Sequence, residues 1–208
     1  MKKKAFCLFF ALTLMMVCFQ AVAEEGRSLI IYFDYSENID ITGLDVDAIS
    51  QASMAGTRAR DRGNLLVMKD ILAERTGADV YGLHVADPYA PAFEDMMYPA
   101  QEEKEKDAVM SFAEELPDLS GYDRIYIGSP VWWYGAPQAV LSYLQQVDMS
   151  GKEIVFFGIH RGSGLGGIPE QIEERQPNAK VIARFTVECQ TDNEKAAADF
   201  NAFLDTLK

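Results

Sequence analysis

Two tryptophans and a tyrosine stand in a row at Trp132, Trp133 and Tyr134, inside the segment SPVWWYGAPQ. The chain has no other tryptophan. Neighbouring side chains of an extended segment point to opposite sides, so both indoles cannot enter one core. Taken alone, the stretch is explained by ordinary packing. If it borders a cleft, however, one ring is free to stack on a flat, partly polar ligand.

A glycine-rich stretch, HRGSGLGG at 160–167, is the second group of residues that could bind a ligand or take part in chemistry. Glycine lets backbone N–H groups approach a ligand closely and adopt conformations closed to other residues. A dinucleotide-binding G-x-G-x-x-G motif would follow the first strand, and this stretch comes much later. His160 and Ser163 raise the alternative of a hydrolase, but Ser163 lacks the G-x-S-x-G surroundings of a nucleophile elbow.

A third group of candidate residues lies at Gly63 and Asn64, which precede a helical pattern. The first turn of a helix offers unpaired N–H groups and a partial positive charge, which together can hold a phosphate. Ser36 follows the first apolar run and could add a hydroxyl, although Asp34 and Glu37 beside it would repel a dianion. The alternative is that Asn64 is only a helix N-cap.

Apolar runs of strand length alternate with amphipathic segments along the chain. Several runs are apolar at consecutive positions, as in a sheet that is covered on both faces. Long connections at 34–62 and 86–100 interrupt the alternation, and such connections are usually functional or disordered. The predicted strands are 28–33, 79–85, 124–129, 153–159 and 180–187, and the predicted helices are 63–77, 101–116, 136–147, 168–175 and 192–207.

This alternation predicts a three-layer α/β fold with a doubly wound, five-stranded parallel sheet. In the strand order 2-1-3-4-5, the order reverses between strands one and three, and ligands bind in the crevice at that point. The three groups of candidate residues follow strands one, three and four. We therefore expect them to meet at one edge of the sheet.

The amino terminus predicts export. Residues 1–23 combine three lysines, an apolar run and a final AVA, which is the pattern of a cleaved signal peptide. The mature domain would be 24–208, with no membrane span and with a net charge that falls from −13 to −16 on loss of the three lysines. Such an acidic balance argues against nucleic acid as a partner. Cys189 would be the only cysteine left, so no intrachain disulfide is possible.

Together these segments resemble the flavodoxin-like family, in a branch with a long first loop. The matching pieces are LIIYF, the GN that opens the first helix, PVWWYGAP and GSGLG, in that order. The resemblance implies the cofactor FMN. Its phosphate would lie at Ser36, Gly63, Asn64 and Leu65, and its ring between two loops formed by Pro130, Val131, Trp132, Trp133, Tyr134 and Gly135 and by His160, Arg161, Gly162, Ser163, Gly164 and Gly166.

Three positions depart from the family pattern. Leu65 stands where a threonine usually binds the phosphate, and Asp34 where a serine is common, so both changes weaken phosphate binding. Arg161 replaces a small residue and would offset part of that loss. We expect an exported FMN-dependent electron carrier or oxidoreductase with a redox partner protein or a small-molecule electron acceptor. The alternatives are a binding module that has lost FMN and an NAD(P)H-dependent quinone-type reductase.

Overall fold

The computed structural model describes residues 26–39, 63–90 and 93–207. The predicted signal peptide and most of the long connection at 34–62 lie outside the described residues. Among the helices that are described, none has the length and apolar character needed to cross a membrane.

Five parallel strands form a single sheet in the order β2-β1-β3-β4-β5, which confirms the predicted topology. The central strands β3 and β4 are buried along almost their whole length, in agreement with their uninterrupted apolar sequences. The strands are β1 (Ser28–Tyr32), β2 (Asp79–Gly82), β3 (Arg124–Pro130), β4 (Glu153–His160) and β5 (Lys180–Glu188).

Helices cover both faces of the sheet and give two hydrophobic cores. One core joins α1 and α5 to one face, and the other joins α2, α3 and α4 to the opposite face. The α1 helix ends as predicted at Gly77, whose left-handed backbone (φ 65°) only glycine adopts at little cost. The helices are α1 (Asn64–Thr76), α2 (Phe93–Glu105), α3 (Gln138–Gln146), α4 (Ile168–Arg175) and α5 (Asn193–Leu204).

The predicted helix at 101–116 is wrong in its bounds, because α2 begins eight residues earlier and ends at Glu105. The chain turns at Asp107, whose backbone is left-handed (φ 45°) and whose carboxylate accepts hydrogen bonds from α3 and α4. Beyond this turn the chain pairs with the segment that follows β2, through an antiparallel bridge between Val85 and Phe112. These contacts between distant parts of the chain explain why the helix predicted to reach 116 ends at Glu105.

Candidate functional site

The aromatic segment after β3 is a tight two-residue turn. The backbone N–H of Trp132 donates to the carbonyl of Gly135 (2.8 Å), and the N–H of Gly135 donates to the carbonyl of Trp132 (3.0 Å). Trp133 (φ 48°) and Tyr134 (φ 55°) both have left-handed backbones. The expectation of an extended loop is therefore wrong. Left-handed conformations are costly for bulky residues, so this turn stores strain.

The two indoles are separated as the sequence predicted, with Trp132 5% exposed and Trp133 43% exposed. Trp132 packs edge-on against Phe33 and Tyr89, with ring centroids 5.4 and 5.5 Å apart. This cluster fixes the turn to the end of β1. The indole N–H of Trp132 is buried and has no hydrogen-bond acceptor among the described residues.

Trp133 and the 82% exposed Tyr134 border a cavity of about 510 Å³ at the carboxyl edge of the sheet. Its volume lies in the range of small-molecule sites. The aromatic turn forms one wall and the segment from Arg161 to Ser163 forms another. Two of the predicted groups of residues are therefore brought together, as the strand order required.

Met96 and Met97 of α2 also line the cavity, and sequence reasoning missed both. The segment that contains them was predicted as part of the long connection at 86–100. The adjacent methionines were the available signal, since methionine is common at adaptable apolar binding surfaces. The helix lies against the aromatic turn and makes the site more apolar than the two loops alone.

The glycine loop after β4 needs its glycines for conformation and for space. Gly162, Gly164 and Gly166 all have positive φ angles. A Cβ atom on Gly166 would lie 2.3 Å from Cγ1 of Val131, so this glycine lets the two loops meet. The Nδ1 of His160 accepts a hydrogen bond from the N–H of Gly162 (3.0 Å), which gives His160 a role inside the loop.

At the other predicted end of the site, α1 begins with an open first turn. Gly63 precedes the helix without a side-chain cap, and the first turn contains no acidic residue. Asn64 is not the N-cap but the first helical residue. Its buried side-chain amide donates to the carbonyl of Thr191 (2.8 Å), while its Oδ1 has no donor among the described residues. Leu65 is fully buried in the core, so only its backbone can face a ligand.

Asp34 and Ser36 lie together in a short 3-10 turn after β1. The buried carboxylate of Asp34 accepts hydrogen bonds from the backbone N–H of Ser36 (2.9 Å) and from its hydroxyl. Burial raises the pKa of Asp34, and the hydrogen bonds from Ser36 oppose that rise. Nearby, Glu37 accepts a hydrogen bond from Tyr32 (2.8 Å). Asp34 is therefore engaged by its own turn, and Glu37 by the last residue of β1.

Arg161 is exposed and forms no ion pair with any residue that the structure describes. Its positive charge acts on Cys189 in β5's carboxyl-terminal connection, where burial raises the pKa of the thiol and Arg161 opposes the rise. The guanidinium thus supplies a positive charge at the rim of the cavity that is not ion-paired among the described residues.

The family model described as Flavodoxin matches residues 62–201, about two thirds of the chain. The chain belongs to the flavodoxin family. No curated protein gives a significant match.

Solved structures similar to this chain agree with that assignment. A protein described as a flavoprotein from Bacteroides uniformis is 20% identical, with a TM-score of 0.61 over 85% of this chain and 98% of its own. A flavoprotein from Lactobacillus acidophilus, solved in complex with FMN, is 15% identical, with a TM-score of 0.57 over 85% of this chain and 99% of its own. At these identities the likeness shows the flavodoxin-like fold alone.

Proposed function

We propose that the protein binds FMN at the carboxyl edge of β1, β3 and β4 and uses it as an electron carrier or oxidoreductase. The single observation that carries the proposal is the cavity between the strained aromatic turn and the glycine loop, on which Trp133 and Tyr134 lie exposed. The FMN complex of the Lactobacillus acidophilus protein, which shares the fold, supports the choice of cofactor.

The ring end of the site fits a flavin well. A flavin ring has apolar faces and a polar edge, and it would contact Trp133 and Tyr134 by stacking. The opposite wall offers backbone N–H groups of the glycine loop from Arg161 to Ser163 for the polar edge. Met96 and Met97 would add apolar contact and exclude water from the ring.

The phosphate end also fits, although through the backbone rather than through side chains. The open first turn of α1 at Asn64 and Leu65 offers N–H groups and a helix dipole to an anion. The Oδ1 of Asn64, which has no donor among the described residues, is a buried acceptor suited to a hydroxyl donor, and the sugar-alcohol chain of FMN carries such hydroxyls. The hydroxyl of Ser36 would have to leave Asp34 to take part.

Bound FMN supplies one- and two-electron chemistry, while the protein sets its position and potential. Arg161 would favour gain of electrons by placing a positive charge at the cavity rim. The aromatic turn and the acidic surface act in the opposite direction. The balance of these groups decides the midpoint potential.

We further propose that the mature chain, 24–208, is exported. The lysines at 2–4, the apolar run that follows them and the AVA at 21–23 support this proposal. The electron partner would be another protein or a small molecule. The apolar lining contributed by α2 favours a small apolar acceptor, and this keeps a quinone-type reductase as a second candidate.

The deciding experiment is the visible absorption spectrum of the purified mature protein, before and after FMN is added. We expect a bound-flavin spectrum and quenching of the fluorescence of added FMN. A colourless protein that leaves this fluorescence unchanged would mean that the fold persists without its cofactor. Rapid reduction of bound FMN by NADPH in a stopped-flow trace would support the reductase.

A further inference from the structure

Lys104, in the last turn of α2, reaches across to the aromatic turn. Its Nζ donates to the carbonyl of Trp132 (2.8 Å) and to the carbonyl of Trp133 (3.3 Å). Both carbonyls belong to the left-handed turn that exposes Trp133 and Tyr134. The same helix therefore lines the cavity with its methionines and holds the opposite wall with its lysine.

The space around this amine is closely fitted. A Cβ atom on Gly135 would lie 2.7 Å from Nζ of Lys104 and 2.9 Å from the side-chain amide of Gln171. Gln171 in turn accepts a hydrogen bond from the backbone N–H of Ala136 (2.9 Å). Glycine at 135 thus admits two side chains, from α2 and from α4, which fix the turn from behind.

No carboxylate pairs with Lys104 among the residues that the structure describes. The charged group that acts on the pKa of Lys104 is Arg175 on α4. Arg175 itself pairs with Asp107 at 2.7 Å. Glu103, the neighbouring acid on α2, accepts a hydrogen bond from Tyr89 instead (2.9 Å). Lys104 is therefore half-buried, has no carboxylate partner among the described residues, and donates to two carbonyls of the left-handed turn.

We propose that Lys104 is the positioning residue that holds the Trp132–Gly135 turn, and with it the exposed rings of Trp133 and Tyr134, in the conformation that receives a flat ligand. That the ligand is FMN rests on the proposed function; that the turn depends on Lys104 does not. The two carbonyls match the two N–H groups that a neutral amine retains, so the contact survives deprotonation.

The direction of the pH dependence follows from burial. Burial, and then the charge of Arg175, lower the pKa of Lys104 to about 8 from the ordinary 10.5. If the turn opens, the amine returns to water and to its ordinary pKa. Protonation therefore favours the open turn, and the closed turn gains as the pH rises from about 8 towards 10.5.

The test uses tryptophan fluorescence of the cofactor-free protein, with acrylamide as the quencher, from about pH 7 to pH 10.5. Trp133 is the exposed indole and dominates the quenching. The wild type is expected to show a step between pH 8 and 10.5, with weaker quenching on the alkaline side. Lys104→Met should abolish the step and increase quenching at every pH. Lys106→Met is the matched control, because Lys106 follows the same helix and pairs with Glu102 on the surface.

Lys104→Arg keeps the cation but does not titrate below pH 12. The pH-dependent step in quenching should therefore be absent from this variant. Lys104→Arg replaces Lys104→Met in the test if the methionine variant does not fold. A step that persists in either variant, or quenching in Lys104→Met equal to the wild type, would overturn the proposal. A changed turn with unchanged FMN affinity would instead remove the turn from the proposed FMN site and leave the role of Lys104 intact.

Discussion

The carboxylate of Asp34 accepts a hydrogen bond from the backbone N–H of Ser36 at 2.9 Å and a second from its hydroxyl. The acid that stands where the family commonly has serine therefore faces its own 3-10 turn and caps it. The same contact occupies the Ser36 hydroxyl, so a single interaction removes a phosphate donor and keeps the acidic side chain buried.

Replacement of Asp34 by asparagine should strengthen FMN binding and stabilise the protein at neutral pH. Burial raises the pKa of Asp34, so its contribution to stability is lost as the pH rises from the ordinary 3.8 through the raised folded value. The gain of Asp34→Asn in unfolding free energy should therefore shrink as the pH falls towards 3.8. Urea denaturation at pH 7 and pH 4, with FMN titration at pH 7, measures both effects. If Asp34→Asn is destabilised equally at both pH values, the hydrogen bonds that Asp34 makes with Ser36 contribute more to stability than burial of the carboxylate costs.

Replacement of Arg161 by alanine should lower the midpoint potential of bound FMN. A positive charge at the cavity rim favours the state that has gained electrons, and salt screens that effect. Arg184→Ala is the matched control, since Arg184 carries the same charge on β5 and pairs loosely with Glu170 (3.7 Å). Potentiometric titration of the three proteins at low and high salt gives the comparison. Equal potentials in the wild type and in Arg161→Ala would remove Arg161 from the site.

The sheet and its ligand edge could be predicted because they depend on local signals. Uninterrupted apolar runs identify β3 and β4 as buried strands, and alternation with helices predicts parallel pairing, whereas the order 2-1-3-4-5 is a property of doubly wound folds of this kind and is the order observed. Strand order in turn brings the aromatic turn and the glycine loop together. The end of α1 at Gly77 could be predicted from that residue alone, because glycine adopts a left-handed backbone at little cost.

The details of the site depend on contacts between residues far apart in sequence. A two-residue turn with left-handed backbones is usually signalled by Asn-Gly, and Trp133-Tyr134 gives no such signal. The bounds of α2 follow from Asp107, which binds side chains of α3 and α4. Asn64 turns away from its own helix to Thr191, 127 residues later. No local pattern contains these distant partners.

Trp133 should be replaceable by glycine at less cost to stability than by alanine. Both changes remove the ring, but only glycine relieves the left-handed backbone, a difference of about 1–2 kcal/mol. Both variants should bind FMN less tightly by about 0.5–1.5 kcal/mol from lost stacking, or up to about tenfold in Kd. Thermal unfolding and FMN fluorescence titration provide the measurements. Val109→Ala controls for loss of an exposed apolar side chain, because Val109 does not line the cavity.

Gly166→Ala and Gly164→Ala separate backbone strain from loop spacing. The two glycines have nearly equal φ angles, 57° and 59°, so alanine should cost each about 1 kcal/mol of backbone strain. At 166 the new methyl would meet Val131, at 2.3 Å from Cγ1, while at 164 no atom of the described residues lies within 4 Å. Valine is short and stiff, so the glycine loop must move away from the aromatic turn. Gly166→Ala should therefore unfold at lower urea than Gly164→Ala and lose FMN affinity. Equal losses in the two variants would show that the cavity does not depend on this close approach of the loops.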